Sequence, residues 1–192
     1  MRVIAGRARR LQLKTVKGMS TRPTTDRIKE TLFNMLQNDI EGCTFLDLYS
    51  GSGAIGIEAL SRGAKKAVFV ENNRDAIDCI KYNLRFTKLQ EYGKVMENNV
   101  VTAMEILNKR NEKFDIVFMD PPYNNEIERE TLKVISGLDI INEYSVVIVE
   151  AAIETDFSYT SDMGYKIIKE KIYKTNKHVF LRKNDDAVER YT

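Results

Sequence analysis

Asp120-Pro121-Pro122-Tyr123 is the stretch whose residue types limit the chemistry most narrowly. Two consecutive prolines fix the backbone and remove two N–H donors. The Asp120 carboxylate and a proline carbonyl can then face one amino group, and both are acceptors. An exocyclic amine on a nucleobase has two hydrogens to donate, but its lone pair is delocalised into the ring. Accepting both hydrogens favours a pyramidal nitrogen with charge built up for attack on a methyl group carried by a sulfonium. Tyr123 can stack on the base, a contact worth roughly 1–3 kcal/mol. The plainer reading is a Pro-Pro strand terminator beside an exposed tyrosine. A glycine turn two strands earlier in the sequence weighs against it.

That turn lies within residues 45–56, Phe45-Leu46-Asp47-Leu48-Tyr49-Ser50-Gly51-Ser52-Gly53-Ala54-Ile55-Gly56. An apolar run ends in glycines and an apolar helical pattern follows, so the stretch reads as strand, tight turn and helix start. Glycines let a ligand approach the backbone, and the helix start offers it free N–H groups. Glu71 ends a second apolar run 20 residues after Gly51, where an acid can accept both hydroxyl hydrogens of a ribose. Gly51, Gly53 and Gly56 with Glu71 also satisfy the dinucleotide fingerprint. Asp47 decides between the two. An acid four residues before the first glycine would repel a pyrophosphate, but it suits a cation such as the ammonium of S-adenosylmethionine. The plainer role for Asp47 is a strand-end acid bonded to backbone.

These residues need strand ends to hold them. From residue 44 the sequence alternates strands (44–49, 66–71, 94–97, 114–119, 145–150) with helices (54–62, 74–87, 100–109, 126–137). Such alternation predicts a mostly parallel sheet covered on both faces. A helix near 25–37 precedes it, with Thr24 or Thr25 as cap. Residues 164–173 and 177–182, joined by Lys174-Thr175-Asn176, read as a hairpin that adds an antiparallel strand. Residues 2–13 read as a β-hairpin or extended arm around Gly6.

The 192 residues suffice for one α/β domain with a substantial core. No apolar run approaches the roughly 20 residues of a membrane span, and no secretory signal is visible. Cys43 and Cys79 lack metal or redox spacing, as expected of reduced, structural thiols in a cytoplasmic protein. The lone His178 has no neighbouring ligands, and no metal is expected. The net charge of +2 conceals an asymmetry. Residues 1–22 hold seven basic side chains and no acid, which leaves 23 basic against 28 acidic in the remainder. A basic arm on an acidic body suggests a polyanionic partner. A solvated terminal segment would account for the charge as well.

Asp47-x-x-x-Gly51-x-Gly53, Glu71 and Asp120-Pro121-Pro122-Tyr123 together resemble class I S-adenosylmethionine-dependent amino methyltransferases. Three further stretches, Val3–Gly6, Arg22–Asn34 and Ser50–Gly63, resemble the bacterial RsmD family, which methylates N2 of one guanine in 16S rRNA. The resemblance covers residues 2–183. It implies an α/β, Rossmann-like sheet of seven strands with the last hairpin strand antiparallel. The cofactor set is then Asp47, Tyr49, Gly51, Ser52, Gly53, Glu71, Asn72, Asn99 and Val100. Asp120, Pro121, Pro122 and Tyr123 form the reaction centre. Arg7, Arg9, Arg10, Arg22, Thr24 and Arg27 are assigned to RNA. Many relatives carry an acid near the adenine amine where this chain has Asn98-Asn99, but an amide oxygen can accept that hydrogen too. The expected organisation is a basic arm or hairpin (1–22), a methyltransferase domain (23–183) and a polar tail (184–192). The expected partner is 16S rRNA, within the small ribosomal subunit and met by a monomer, with no membrane. A DNA adenine-N6 methyltransferase would share the acceptor motif, but 192 residues leave no room for a separate target-recognition domain. An NAD-linked oxidoreductase would leave Asp120–Tyr123 unused. A non-enzymatic RNA-binding module would need neither Glu71 nor Asp120.

Overall fold

A computed structural model describes residues 1–16, 26–122 and 126–184. Its centre is a seven-stranded sheet: β1 (Thr44–Leu48), β2 (Lys66–Glu71), β3 (Gly93–Glu97), β4 (Ile116–Met119), β5 (Val146–Ala152), β6 (Tyr165–Ile172) and β7 (Asn176–Lys183). The spatial order is β3-β2-β1-β4-β5-β7-β6. β1 to β5 pair in parallel, and β7 runs antiparallel to both its neighbours. The strand order reverses between β1 and β4, which makes their carboxyl ends the natural place for a ligand. Among the described residues no helix is long and apolar enough to cross a membrane.

Among the described residues five α-helices cover the sheet: α1 (Asp26–Met35), α2 (Ala54–Ser61), α3 (Arg74–Phe86), α4 (Val100–Lys109) and α5 (Ile127–Ser136). α1, α2 and α3 contribute Leu32, Ile57 and Ile80 to one core cluster, whereas α4 and α5 contribute Met104 and Leu132 to the other. Strand side chains alternate between these faces. Phe45, Phe69, Phe118, Ile148 and Phe180 belong to the first cluster. Leu46, Val68, Val117, Val147 and Val179 belong to the second. Two positions along each strand, Asp47, Glu71, Asp120, Glu150 and His178 therefore share the face of α1 to α3. That period places five polar groups in one layer.

Residues 1–13 fold back on themselves through the antiparallel bridge Arg2↔Gln12 and lie against α2. Val3, Ala8 and Leu13 are buried in the same cluster as α2, so the basic segment is docked on the sheet's own core. Gly6 (φ +80°) passes so close to α2 that a Cβ would fall 1.8 Å from the Ser61 carbonyl oxygen. The contact centres on Glu58, which is fully buried. Its carboxylate accepts from Ile4 N (2.8 Å) and Ala5 N (3.0 Å) and pairs with Lys29 Nζ (3.1 Å) and Arg62 Nε (2.8 Å). Lys29 also donates to the Arg2 carbonyl. Burial pulls the Lys29 ammonium below its ordinary value, against the pull of Glu58. Glu58→Gln is therefore expected to cost about 3–5 kcal/mol, because it strands a buried cation. A second substitution, Lys29→Met, should recover part of that loss. Urea denaturation of the three proteins measures it, and a Glu58→Gln midpoint equal to the parent's would deny the hub its role.

Candidate active site

At the end of β1 the backbone turns sharply. Tyr49 (φ 60°), Gly51 (φ 53°) and Gly53 (φ 76°) all take left-handed conformations within five residues. Tyr49 points its hydroxyl at Thr131 Oγ1 of α5 (2.8 Å) and packs with the second cluster. A Cβ at Gly51 would meet nothing within 4 Å, so open space lies before the turn. A Cβ at Gly56 would fall 2.3 Å from the Phe69 ring, so this third glycine sets how closely α2 approaches the sheet. Gly53 caps α2 without a side-chain bond.

Two acids clasp the turn. Asp47 Oδ2 accepts from Gly56 N (2.9 Å). Glu71 accepts from Gly51 N (2.8 Å), Asn72 N (2.9 Å) and Asn73 N (2.9 Å). A carboxylate offers about four acceptor positions, so Glu71 retains capacity for one further donor. Asn83 of α3, wholly buried, ties the turn to the chain's start. Its Nδ2 donates to the carbonyls of Ser52 (2.9 Å) and Lys14 (3.0 Å), and its Oδ1 accepts from Lys14 N (2.9 Å). Sequence reading missed it. The available signal was a polar residue inside the apolar stripe Cys79, Ile80, Leu84.

The remaining positions separate by surroundings. Asn72 is exposed. Asn99 caps α4, its side chain accepting from Thr102 N (2.9 Å), and Val100 begins that helix nearly buried. Pro121 is buried and Pro122 exposed, while Tyr123 lies outside the described residues. Arg7 donates to the Leu60 carbonyl and lies 4.4 Å over the Tyr92 ring. Arg9, Arg10 and Arg27 are exposed, whereas Arg22 and Thr24, with the proposed cap Thr25, lie outside the described residues.

Asp120 follows β4 directly and shares its face with Asp47 and with Glu150 at the end of β5. Its carboxyl is driven well above the ordinary range by burial, then by the charges of Glu150 and Asp47. Asp47 is pushed up to about 8 by burial; the Gly56 N–H opposes this and the Glu71 charge adds to it. Burial thus favours the protonated forms of Asp47 and Asp120, and a ligand cation would favour their ionised forms.

Folding raises the Asp47 value above that of the unfolded chain, so the native state takes up a proton between about pH 4 and pH 8. Stability therefore falls as pH rises through that window. Asp47→Asn keeps an acceptor for Gly56 N–H and removes this dependence. The ligand-free variant should melt above the parent at pH 8 by at least about 1 kcal/mol, roughly 2–4 °C, and near it at pH 4. An equal difference at both pH values would show that Asp47 does not hold this proton.

Comparison with known proteins agrees with this arrangement. A family model described as conserved hypothetical protein 95 matches residues 1–182. The ribosomal RNA small subunit methyltransferase D of Haemophilus influenzae is 32% identical over 174 residues, spanning 89% of this chain and 88% of its own. The protein of the same name from Escherichia coli is 33% identical over 172 residues, spanning 90% and 84%. The solved structure of yhhF, a methyltransferase-like protein of Escherichia coli, superposes with a TM-score of 0.82 at 31% identity. It covers 96% of this chain and 98% of its own.

Proposed function

Because the chain belongs to the RsmD family, matched across residues 1–182, we propose that it transfers a methyl group from S-adenosylmethionine to the exocyclic N2 amine of a guanine in 16S rRNA. The observation that carries the proposal is the placement of Asp47, Glu71 and Asp120 on one face at the ends of β1, β2 and β4.

The residues fit such a cofactor. Asp47, which burial biases toward its protonated form in the free protein, ionises against the ammonium of the bound ligand. The open space at Gly51 admits the ligand backbone-close, and Glu71 has one acceptor position left for a ribose hydroxyl. When bound, the cofactor supplies a methyl group on a positively charged sulfur. Asp120 and the Pro121 carbonyl accept the two amine hydrogens of the guanine and aim its lone pair. The N2–carbon bond forms as the sulfur–carbon bond breaks, and the electron pair of the broken bond stays on sulfur. N2 then loses one proton, and Asp120 is the nearest base assigned to it.

The chemistry predicts a large loss in Asp120→Ala, about 10²–10³ in rate, with cofactor affinity little changed and Asp120→Asn less impaired. Single-turnover transfer of a radiolabelled methyl group to small subunits lacking the mark reads this, with duplex DNA as the competing substrate. Parental rates in Asp120→Ala would overturn the assignment. S-adenosylhomocysteine should raise the melting temperature of the parent and NAD should not.

RNA affinity is assigned to the docked basic segment. Deleting residues 1–12 would remove Val3 and Ala8 from the core, so charge substitution is the cleaner test. Arg9→Ala and Arg10→Ala should each weaken RNA binding and reduce the salt slope by about one, as one fewer phosphate is neutralised. An unchanged slope would move the RNA to another surface.

A further inference from the structure

A polar row runs from Asp120 across the sheet, and the methyl-transfer reading leaves its far end unused. β4 and β5 pair Met119↔Val149, so Asp120 and Glu150 follow as neighbours across the ladder. β5 and β7 pair Glu150↔His178. Two adjacent strands and the residue that follows a third thus bring two acids and the chain's only histidine to one face. Glu150 is 4% exposed and His178 is fully buried. His178 Nε2 lies 3.0 Å from Glu150 Oε2, while Asn176 Nδ2 donates to Glu150 Oε1. The Tyr173 hydroxyl lies 3.1 Å from His178 Nδ1. The Phe118 ring meets the imidazole edge-on, 6.0 Å between centroids. Both ring nitrogens are engaged and an aromatic wall closes one side.

An interior site resists holding two carboxylate charges side by side. Asp120 is the stronger acceptor for the amine when ionised, yet Glu150 and Asp47 both press against its charge. Among the described residues, the cations on the neighbouring elements are exposed or already paired. Lys171 stands opposite His178 on β6 but is exposed. Lys177 is paired with Glu170. In the helix layer over this face, Lys29 is paired with Glu58. His178 is the buried group of this row that can carry a positive charge.

We propose that His178, acting through Glu150, sets the charge on Asp120 and is a positioning residue for methyl transfer. With both ring nitrogens protonated, the imidazolium balances Glu150 and leaves Asp120 ionised as an acceptor. With the ring neutral, the Glu150 charge bears on Asp120, whose carboxyl then holds a proton and presents a donor where an acceptor is needed. The inference rests on the proposed reaction for its catalytic meaning, but the charge coupling within the row does not.

The signature is a pair of opposite displacements. In single-turnover methylation across pH, Glu150→Gln should move the acid limb to lower pH. His178→Gln should move it to higher pH. Each displacement should be about one unit, a tenfold change in rate on the limb. A purely structural role would depress rates at all pH values and leave the limb in place. A limb that stays put in both variants, or moves the same way in both, overturns the proposal. A second measurement needs neither cofactor nor RNA. The single histidine gives one set of imidazole resonances in nuclear magnetic resonance. Asp120→Asn should displace the pH at which those resonances titrate, and an unchanged midpoint overturns the proposal even if the other variants fail to fold. A displaced midpoint in a protein that methylates no guanine would refute the function reading and leave the coupling standing.

Discussion

The Glu58 carboxylate holds the molecule's upper layer in place. Four donors from three separate parts of the chain converge on its two oxygens, filling the positions a carboxylate has to offer. Buried ion pairs are weak sources of net stability but costly to break. Such a contact therefore specifies an arrangement more than it strengthens one. Here it fixes α2 against α1 and against the first residues of the chain. The start of α2 is the glycine turn, so the hub about one turn into the helix also fixes where Gly51 and Gly53 lie. Asn83 repeats the device at the turn itself, binding Ser52 and Lys14 through one side chain.

A second constraint is the period of the strand. Because side chains alternate, the strands that bury Phe45, Phe69, Phe118 and Ile148 must bring Asp47, Glu71, Asp120 and Glu150 to the same side two residues later. The apolar core of that face thus ends in a rim of acids where the strand order reverses. Burial in that core raises the proton affinity of Asp47 and Asp120. The same burial that stabilises the sheet makes the rim ready for a cationic ligand.

Much of this is legible in the sequence, for local reasons. The helix read at 100–109 is found at Val100–Lys109, because Asn99 caps it and apolar spacing carries it. The strand read at 66–71 is Lys66–Glu71. The strand read at 114–119 begins at Ile116, because Phe114 N instead bonds the Ile140 carbonyl leading into β5. The basic segment reads as an arm from its charge, yet it is docked through Val3, Ala8 and Leu13. Glu58, Lys29 and Asn83 look like ordinary polar positions of amphipathic helices, because most of their partners lie 27 to 69 residues away. His178 looks isolated because Glu150 reaches it only when β5 and β7 pair 28 residues apart. Local periods can be read from one sequence; pairings across the sheet become visible only in the fold.

The docking of the first segment also orders events during synthesis. Ile4 and Ala5 leave the ribosome 54 and 53 residues ahead of the glutamate that receives them. At about 5–20 residues per second, they wait roughly 3–10 s for that partner. Gly6 cannot take its place against Ser61 before α2 exists. Through that interval Val3, Ile4 and Leu11 remain in water, and the four arginines between Arg2 and Arg10 keep the nascent strip hydrated and apart from its copies by like-charge repulsion. Those four arginines thus carry a charge that acts on the unfolded chain as well as on the folded one.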